Sequence, residues 1–298
     1  MAKETMSLLS RQKPVFRFAP SPNGRLHLGH ALSAILNHDM AHANGGRFLL
    51  RIEDIDLTRC TPELEQSIYE DLTWLGLTWE TPVRRQSEHF DGYREALEKL
   101  VEMELVYPAF MSRSDVKAYV KSREANGELW PRDPDAAPLY PPLDKRRSRE
   151  DIAALLSSGA RHAWRLDMDK AMARLRHPLS WIETGRGSNT VIVADPAAWG
   201  DVILSRSDAA SSYHLSVVVD DALQDISHVV RGMDLFHATS VHRLLQELLA
   251  LPAPEYHHHR LILDDQGRKL SKSIGSPSLN AMRDDGILPS DVRGLLGI

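Results

Sequence analysis

Apolar runs of strand length alternate with stretches of helical period along the first hundred residues. Val15 to Ala19 reads as a first strand. A Pro/Gly-rich turn follows, and then Leu28, Leu32, Ile35 and Leu36 recur with the spacing of one helix face. Asn44-Gly45-Gly46 is a helix stop, and Phe48 to Ile52 is a second buried strand. Thr61-Pro62-Glu63 supplies an N-cap, a first-turn proline and a first-turn acid to a helix that carries Leu64, Ile68 and Leu72 on one face. A further helix is expected from Ser87 through Tyr93, Leu97, Leu100 and Val101. Strand, helix, strand, helix is the opening of a doubly wound parallel α/β sheet, which places its ligands beyond the carboxyl ends of the strands.

The pattern changes near Tyr107. Residues 126–149 are rich in proline and lack an apolar period, as an irregular insertion would. Short strands are expected within a mixed insertion at Trp164 to Leu166, Thr190 to Ala194 and Asp201 to Leu204. The sheet is expected to resume at Tyr213 to Val219 and to continue at Val229 to Gly232. Thr239 or Ser240 can cap a helix bearing Val241, Leu244, Leu245, Leu248 and Leu249, ended by Pro252 and Pro254. Leu261 to Leu263 reads as the last strand, and a short helix near Asp291 to Leu296 as the close. The division that follows is an N-terminal arm at 1–14, the first half of a nucleotide-binding domain at 15–106, an inserted subdomain at 107–210, and the second half at 211–298.

Composition changes this picture little. A chain of 298 residues with 42% hydrophobic and 26% charged residues has an ordinary globular make-up, and no apolar run reaches the roughly 20 residues of a membrane span. Cys60 is the single cysteine, so no internal disulfide can form, and a reducing cytoplasm is the expected compartment. The net charge of −5 argues against indiscriminate nucleic-acid binding. Residues 141–190 run against that balance with ten Lys+Arg and six Asp+Glu, which marks a candidate RNA-facing surface from Lys145 to Arg186.

Two stretches carry chemistry. In RFAPSPNGRLHLGH, at 17–30, His27 and His30 stand three apart where the helical period starts. A helix N-terminus with unpaired N–H groups, two imidazoles and Gly29 for close backbone approach is a seat for phosphate oxygens. In KLSKS, at 269–273, two lysines and two hydroxyls can meet phosphates that gain charge as a bond breaks. Histidines 257 to 259 are consecutive, so in a strand the middle one faces away from its neighbours, and a metal site there would need ligands from elsewhere.

HLGH and KLSKS together resemble the paired signatures of class I aminoacyl-tRNA synthetases. RFAPSPNG ahead of HLGH, and RIEDID at 51–56, resemble the glutamyl branch of that family, and the likeness covers nearly the whole chain. It implies a Rossmann-like fold with an acceptor-binding-like insertion, and L-glutamate and ATP as substrates, with Mg2+ accompanying ATP. His27, Gly29, His30, Lys269 and Lys272 would then hold and stabilise the phosphates. Arg17, Ala19, Ser21, Glu53, Tyr213 and Arg231 would form the glutamate site. Glu53 would take the α-ammonium, and the two arginines, with Tyr213, would take the carboxylates, which arginine at which end being open.

Only 25 residues follow Ser273, whereas a full glutamyl-tRNA synthetase has a large anticodon-binding region there. The resemblance is therefore to the truncated paralogues, the glutamyl-Q tRNA(Asp) synthetases, whose partner is the queuosine-bearing anticodon stem-loop of tRNA(Asp). The alternative is a shortened enzyme that charges the 3′ end of tRNA(Glu). A monomer is expected, with no membrane partner. The bacterial family's zinc site needs three cysteines and a tyrosine. Ala109, Met111 and Asp144 stand where its thiolates would be, so zinc is expected to be absent.

Overall fold

The computed structural model describes residues 13–207, 209–263 and 277–298. The strands are β1 (Val15–Phe18), β2 (Arg47–Ile52), β3 (Glu80–Arg85), β4 (Val106–Ala109), β5 (Ala163–Leu166), β6 (Ser180–Glu183), β7 (Thr190–Val193), β8 (Ile203–Arg206), β9 (His228–Gly232) and β10 (Glu255–His259). The α-helices are α1 (Leu28–Ala43), α2 (Pro62–Trp74), α3 (Phe90–Glu102), α4 (Arg113–Ala125), α5 (Arg149–Ser157), α6 (Met168–Ala173), α7 (Tyr213–Leu223), α8 (Thr239–Leu248), α9 (Leu279–Asp284) and α10 (Pro289–Leu296).

Seven strands form the main sheet in the order β3-β2-β1-β9-β10-β6-β7. All neighbours are parallel except the β6–β7 hairpin. Strand order reverses between β1 and β9, and a crevice opens at the carboxyl ends of strands flanking such a reversal. Arg17 lies on β1 and Arg231 near the end of β9, one on each side of it.

The elements nearest the crevice form for reasons visible in the sequence. All four residues of β1 are buried, as both faces of a central parallel strand require. α1 lays Leu32 and Ile35 against Phe16, Phe18, Leu50 and Ile52. Each such buried side chain contributes roughly 1.5–3 kcal/mol relative to exposure. Thr61 caps α2 by accepting from the Leu64 N–H at 3.3 Å, with Pro62 in the first turn. The smaller sheet, β4-β5-β8, is antiparallel and lies in the inserted region.

Four expectations are corrected. Tyr213 to Val219 is the start of α7, not a strand. α7 packs between α3 and α8, so Leu215 through Asp221 are all buried, and an apolar run buried all round carries no period to separate helix from strand. Thr190–Val193 joins the main sheet as the outer strand of the β6–β7 hairpin, held to β10 by the pairing of Glu183 with Tyr256. Among the described residues the last strand is Glu255–His259 rather than Leu261 to Leu263. Its histidines read as polar, but β9 supplies the ladder and buried partners supply the side-chain hydrogen bonds. Finally, neither Thr239 nor Ser240 caps α8, because Ala238 is the N-cap residue and the Thr239 hydroxyl is engaged by Arg231.

Candidate active site

His27 is itself the N-cap of α1, with extended backbone (φ −132°, ψ 176°). Its Nδ1 accepts from the Gly29 N–H at 3.1 Å, and its own N–H donates to His30 Nδ1 at 3.2 Å. The two rings lie 3.9 Å apart. With both Nδ1 atoms accepting, each neutral imidazole carries its proton on Nε2, an assignment that follows from the backbone donors. A Cβ at Gly29 would come to 3.0 Å from the His27 ring, so a side chain there would press on the imidazole.

Arg17 is 4% exposed and gripped side-on by Asp221, which accepts from Nε at 3.0 Å and Nη2 at 3.4 Å. Asp221 also accepts from the fully buried Arg51. Burial pushes the Asp221 carboxyl up, but the Arg17 and Arg51 guanidiniums outweigh burial and hold it below its ordinary value. The neighbouring Asp220 takes Arg84 Nε at 2.7 Å, Gln86 Nε2 at 2.8 Å and the Tyr93 hydroxyl at 2.8 Å. Glu53 stands differently. Desolvation pushes its carboxyl up to about 7, against the pull of Arg51 and Arg17.

Arg231 has an acceptor for each of its five N–H bonds. Nε donates to His258 Nε2 at 3.1 Å, Nη1 to the Tyr213 hydroxyl at 3.2 Å and to His242 Nδ1 at 3.1 Å, and Nη2 to Leu235 O at 3.1 Å and Thr239 Oγ1 at 2.7 Å. Since His258 accepts at Nε2, its proton is on Nδ1, 2.6 Å from Glu183 Oε2. Burial lowers His258 to about 4, and burial together with Arg231 lowers His214 to about 4 and His242 well below its ordinary value. The histidines around this arginine are therefore neutral at pH 7, as acceptors must be. Burial pushes Glu183 up, but hydrogen bonds from His258 and from the backbone N–H of His258 and Gly185 bring it down to about 2.

These groups converge. Arg17, Ala19, Ser21, His27, Gly29, His30, Glu53, Tyr213 and Arg231 all line one cavity of about 250 Å3 at the crevice. Lys269 and Lys272 lie outside the described residues. On one side of their segment Ile262 lines the cavity, and on the other Ser278 bridges to His27. Sequence reasoning missed the supports Asp221, Glu183, His242 and His258. Their traces in the sequence were the pair of acids Asp220 and Asp221 ending an apolar run and the three consecutive histidines that include His258.

A family model for "tRNA synthetases class I (E and Q), catalytic domain" matches residues 14–296. The chain belongs to the class I tRNA synthetases. It is 47% identical over 295 residues to a glutamyl-Q tRNA(Asp) synthetase of Rhodobacter capsulatus, covering 95% of this chain and 100% of that one. It is 38% identical over 275 residues to a glutamate–tRNA ligase of Prochlorococcus marinus, of which it spans 53%. The crystal structure of a glutamate–tRNA synthetase from Elizabethkingia anophelis superposes with a TM-score of 0.73 at 29% identity, over 90% of this chain and 55% of that one. The chain thus carries the catalytic fold of an aminoacyl-tRNA ligase and spans about half the length of the glutamate–tRNA ligases it matches.

In this class I synthetase the corner of Ala109, Met111, Tyr140 and Asp144 is built from hydrogen bonds. Asp144, fully buried, accepts from the Phe110 N–H at 2.8 Å, from Arg147 Nε at 2.6 Å and from the Tyr140 hydroxyl, whose oxygen accepts from the Met111 N–H at 3.1 Å. Among the described residues no three His, Cys, Asp or Glu side chains are placed to hold a metal ion, and no helix is long and apolar enough to cross a membrane.

At least five of the ten basic residues between 141 and 190 are engaged by neighbouring groups of the fold. Lys145 pairs with Asp167, Asp169 and Asp201 at 2.9, 3.2 and 3.0 Å, and Arg147 with Asp144. Arg165 lies 3.9 Å over the Tyr140 ring, while Lys170 and Arg174 bond the carbonyls of Glu104 and Met103.

Proposed function

We propose that the protein activates L-glutamate with ATP and transfers it to the queuosine base at the wobble position of tRNA(Asp). The observation that carries this reading is the single cavity in which a phosphate seat (His27, Gly29, His30) adjoins Arg17, Glu53, Tyr213 and Arg231. Support for the RNA partner comes from the match to the whole of the Rhodobacter glutamyl-Q tRNA(Asp) synthetase.

In this reading ionised Glu53 holds the substrate ammonium. Arg17 meets a carboxylate with the Nη1 hydrogens that Asp221 leaves unused. Arg231 acts at one remove, because its donors are saturated by the protein. It fixes and polarises the Tyr213 hydroxyl, which accepts from it and turns its own proton to the other carboxylate. Burial raises the Tyr213 phenol, so it stays protonated and able to donate. The α-carboxylate, already ionised, attacks the α-phosphorus of ATP. A carboxylate oxygen–phosphorus bond forms, the bond to the β,γ-diphosphate breaks, and pyrophosphate leaves with its electron pair, so no side chain need remove a proton. The Nε2–H groups of His27 and His30, with Lys269 and Lys272 from the adjoining segment, stabilise charge building on the phosphates. ATP enters with Mg2+ on its phosphates. A hydroxyl of the queuosine cyclopentenediol then attacks the acyl carbon, its proton passes to a phosphate oxygen of the leaving group, the acyl carbon–oxygen bond breaks to release AMP, and an ester remains on the base.

The test is to incubate the protein with ATP, labelled glutamate and one of three RNAs: tRNA(Asp) with queuosine, the same RNA without it, and tRNA(Glu). Label on the first alone is expected. Label on the terminal adenosine of tRNA(Glu) instead would establish the alternative reading.

A further inference from the structure

Arg51 is fully buried on β2 and lies behind the wall of the cavity rather than in it. The register of the sheet sets it beside Arg84 of β3. Arg17 of β1 pairs with Leu49, two residues before Arg51 on the same face, so three guanidiniums share one side of the sheet. α7 meets them with two carboxylates. Asp221 takes Arg17 and Arg51, Asp220 takes Arg84 at 2.7 Å, and Arg51 Nη1 stands 3.8 Å from Asp220 Oδ2. Nε and Nη1 of Arg51 are buried and have no hydrogen-bond partner among the described residues. The row is therefore one positive charge in excess, and its central guanidinium has donors to spare.

Glu53, two residues beyond Arg51, supplies the third anion. Its backbone N–H is tied to Pro20 O at 3.0 Å, but among the described residues no donor bonds its carboxylate, so no local contact holds the charge there. Desolvation favours the neutral acid. The opposing pull comes first from Arg51 and next from Arg17, while Asp221 and Asp220 push the other way. Glu53 shares one cavity with the protonated Tyr213, the neutral His27 and His30, and Arg231, and the other with Arg206 and the Asp56–Arg59 pair, whose charges offset each other at 2.7 Å. Arg17 and Arg51 differ in what a substrate does to them. Arg17 lines the cavity, so a bound carboxylate offsets its charge. Arg51 is out of reach of any substrate, and its charge persists through the reaction.

We propose that Arg51 is a positioning residue for amino-acid binding that acts through Glu53: its buried guanidinium is the fixed positive charge that keeps the Glu53 carboxylate ionised and ready for the substrate ammonium. The inference rests on the reading above in which Glu53 takes that ammonium, and it adds the group that sustains the charge.

Calorimetry of glutamate binding from pH 6 to pH 8.5 gives the midpoint at which affinity develops, near 7 in the wild type. In Arg51→Met the midpoint should rise by about one pH unit, so that binding is about fivefold weaker than wild type at pH 7 and within about twofold of it at pH 8.5. Recovery at high pH is something a merely distorted site would not show. Arg51→Lys, which keeps the charge, should keep the wild-type midpoint, and the KM for ATP should stay within about twofold in both variants as the check of folding. Binding weakened equally at every pH in Arg51→Met, or a midpoint that rises as far in Arg51→Lys, overturns the role of Arg51 and leaves Glu53 as the partner of the ammonium. Glu53→Gln is the second arm: if it keeps the wild-type slope with pH, the reading of Glu53 fails and the inference with it. Should Arg51→Met not fold, Arg84→Met decides, since Arg84 ends the same row with its side chain 18% exposed. A smaller rise of the midpoint upholds the proposal, and an unmoved one overturns it.

Discussion

The Nε of Arg231 donates to Nε2 of His258 across 3.1 Å, and the two residues are lateral neighbours in the register of β9 and β10. Sheet pairing therefore places the acceptor, and Glu183, beyond it, fixes which nitrogen of the ring can accept. His258→Ala should leave a buried guanidinium hydrogen without a partner and loosen the Tyr213 hydroxyl. The KM for glutamate is expected to rise about tenfold or more, with the KM for ATP within about twofold. His258→Gln, whose amide oxygen can accept, should recover part of the loss, and equal changes in both constants would point to general unfolding instead.

Amino-acid binding should depend on pH through Glu53. Desolvation holds its carboxyl at about 7, and only the ionised form attracts an ammonium. Affinity for glutamate is expected to rise from pH 6 to pH 8, with proton release on binding near pH 7. Glu53→Gln should bind weakly and without that slope, as calorimetry in buffers of different ionisation enthalpy would record.

The neutral histidines predict a trend of the same sign in stability, at lower pH. His214 and His258 titrate near 4 in the folded chain and near 6.5 when unfolded, so below 6.5 the unfolded state binds more protons. Stability should fall as the pH drops from 6.5 toward 4, with each of the two groups contributing a slope that approaches about 1.4 kcal/mol per pH unit. Denaturant midpoints over this range measure it, and His214→Asn should reduce the slope.

Asp144 should behave as a structural tie. Asp144→Ala strips partners from Arg147, Tyr140 and the Phe110 N–H at once, and a loss of about 3 kcal/mol is expected. Chelation of the wild type should leave the melting temperature unchanged. Stoichiometric zinc in untagged protein, with a lower melting temperature after chelation, would overturn the expectation that no zinc is held.

Lys272→Ala should retain glutamate and ATP binding but lose activation rate roughly 100-fold, the scale of one preorganised donor. Single-turnover adenylate formation separates this from a binding defect.

Much of the cavity lining was legible because its residues sit at punctuation marks in the sequence. His27 and His30 open a helical period, and Arg17 and Glu53 lie on or just past apolar strand runs. Tyr213 lines the cavity from a helix rather than from the expected strand, since burial on every side erases the period of α7. The supporting shell was less legible. Asp221 meets Arg17 from 204 positions away, and Glu183 meets His258 from 75, so only tertiary pairing reveals them. Charge partners were hidden for a related reason. Local charge counts cannot show that Lys145 is consumed by three acids.

His27 both begins α1 and faces the cavity, and its backbone and ring are tied to Gly29 and His30. Helix register and site register are thus a single coordinate. A residue inserted upstream, in the turn between Phe18 and Leu26, can be taken up by loop rearrangement while the two imidazoles keep their relation to the helix axis. The same insertion between His27 and His30 would turn one ring about 100° around the axis and open the cap in the same stroke. The mutual placement of the two rings therefore survives a change of length upstream of His27 but not one between the two histidines, a boundary set by hydrogen bonds rather than by contact with any substrate.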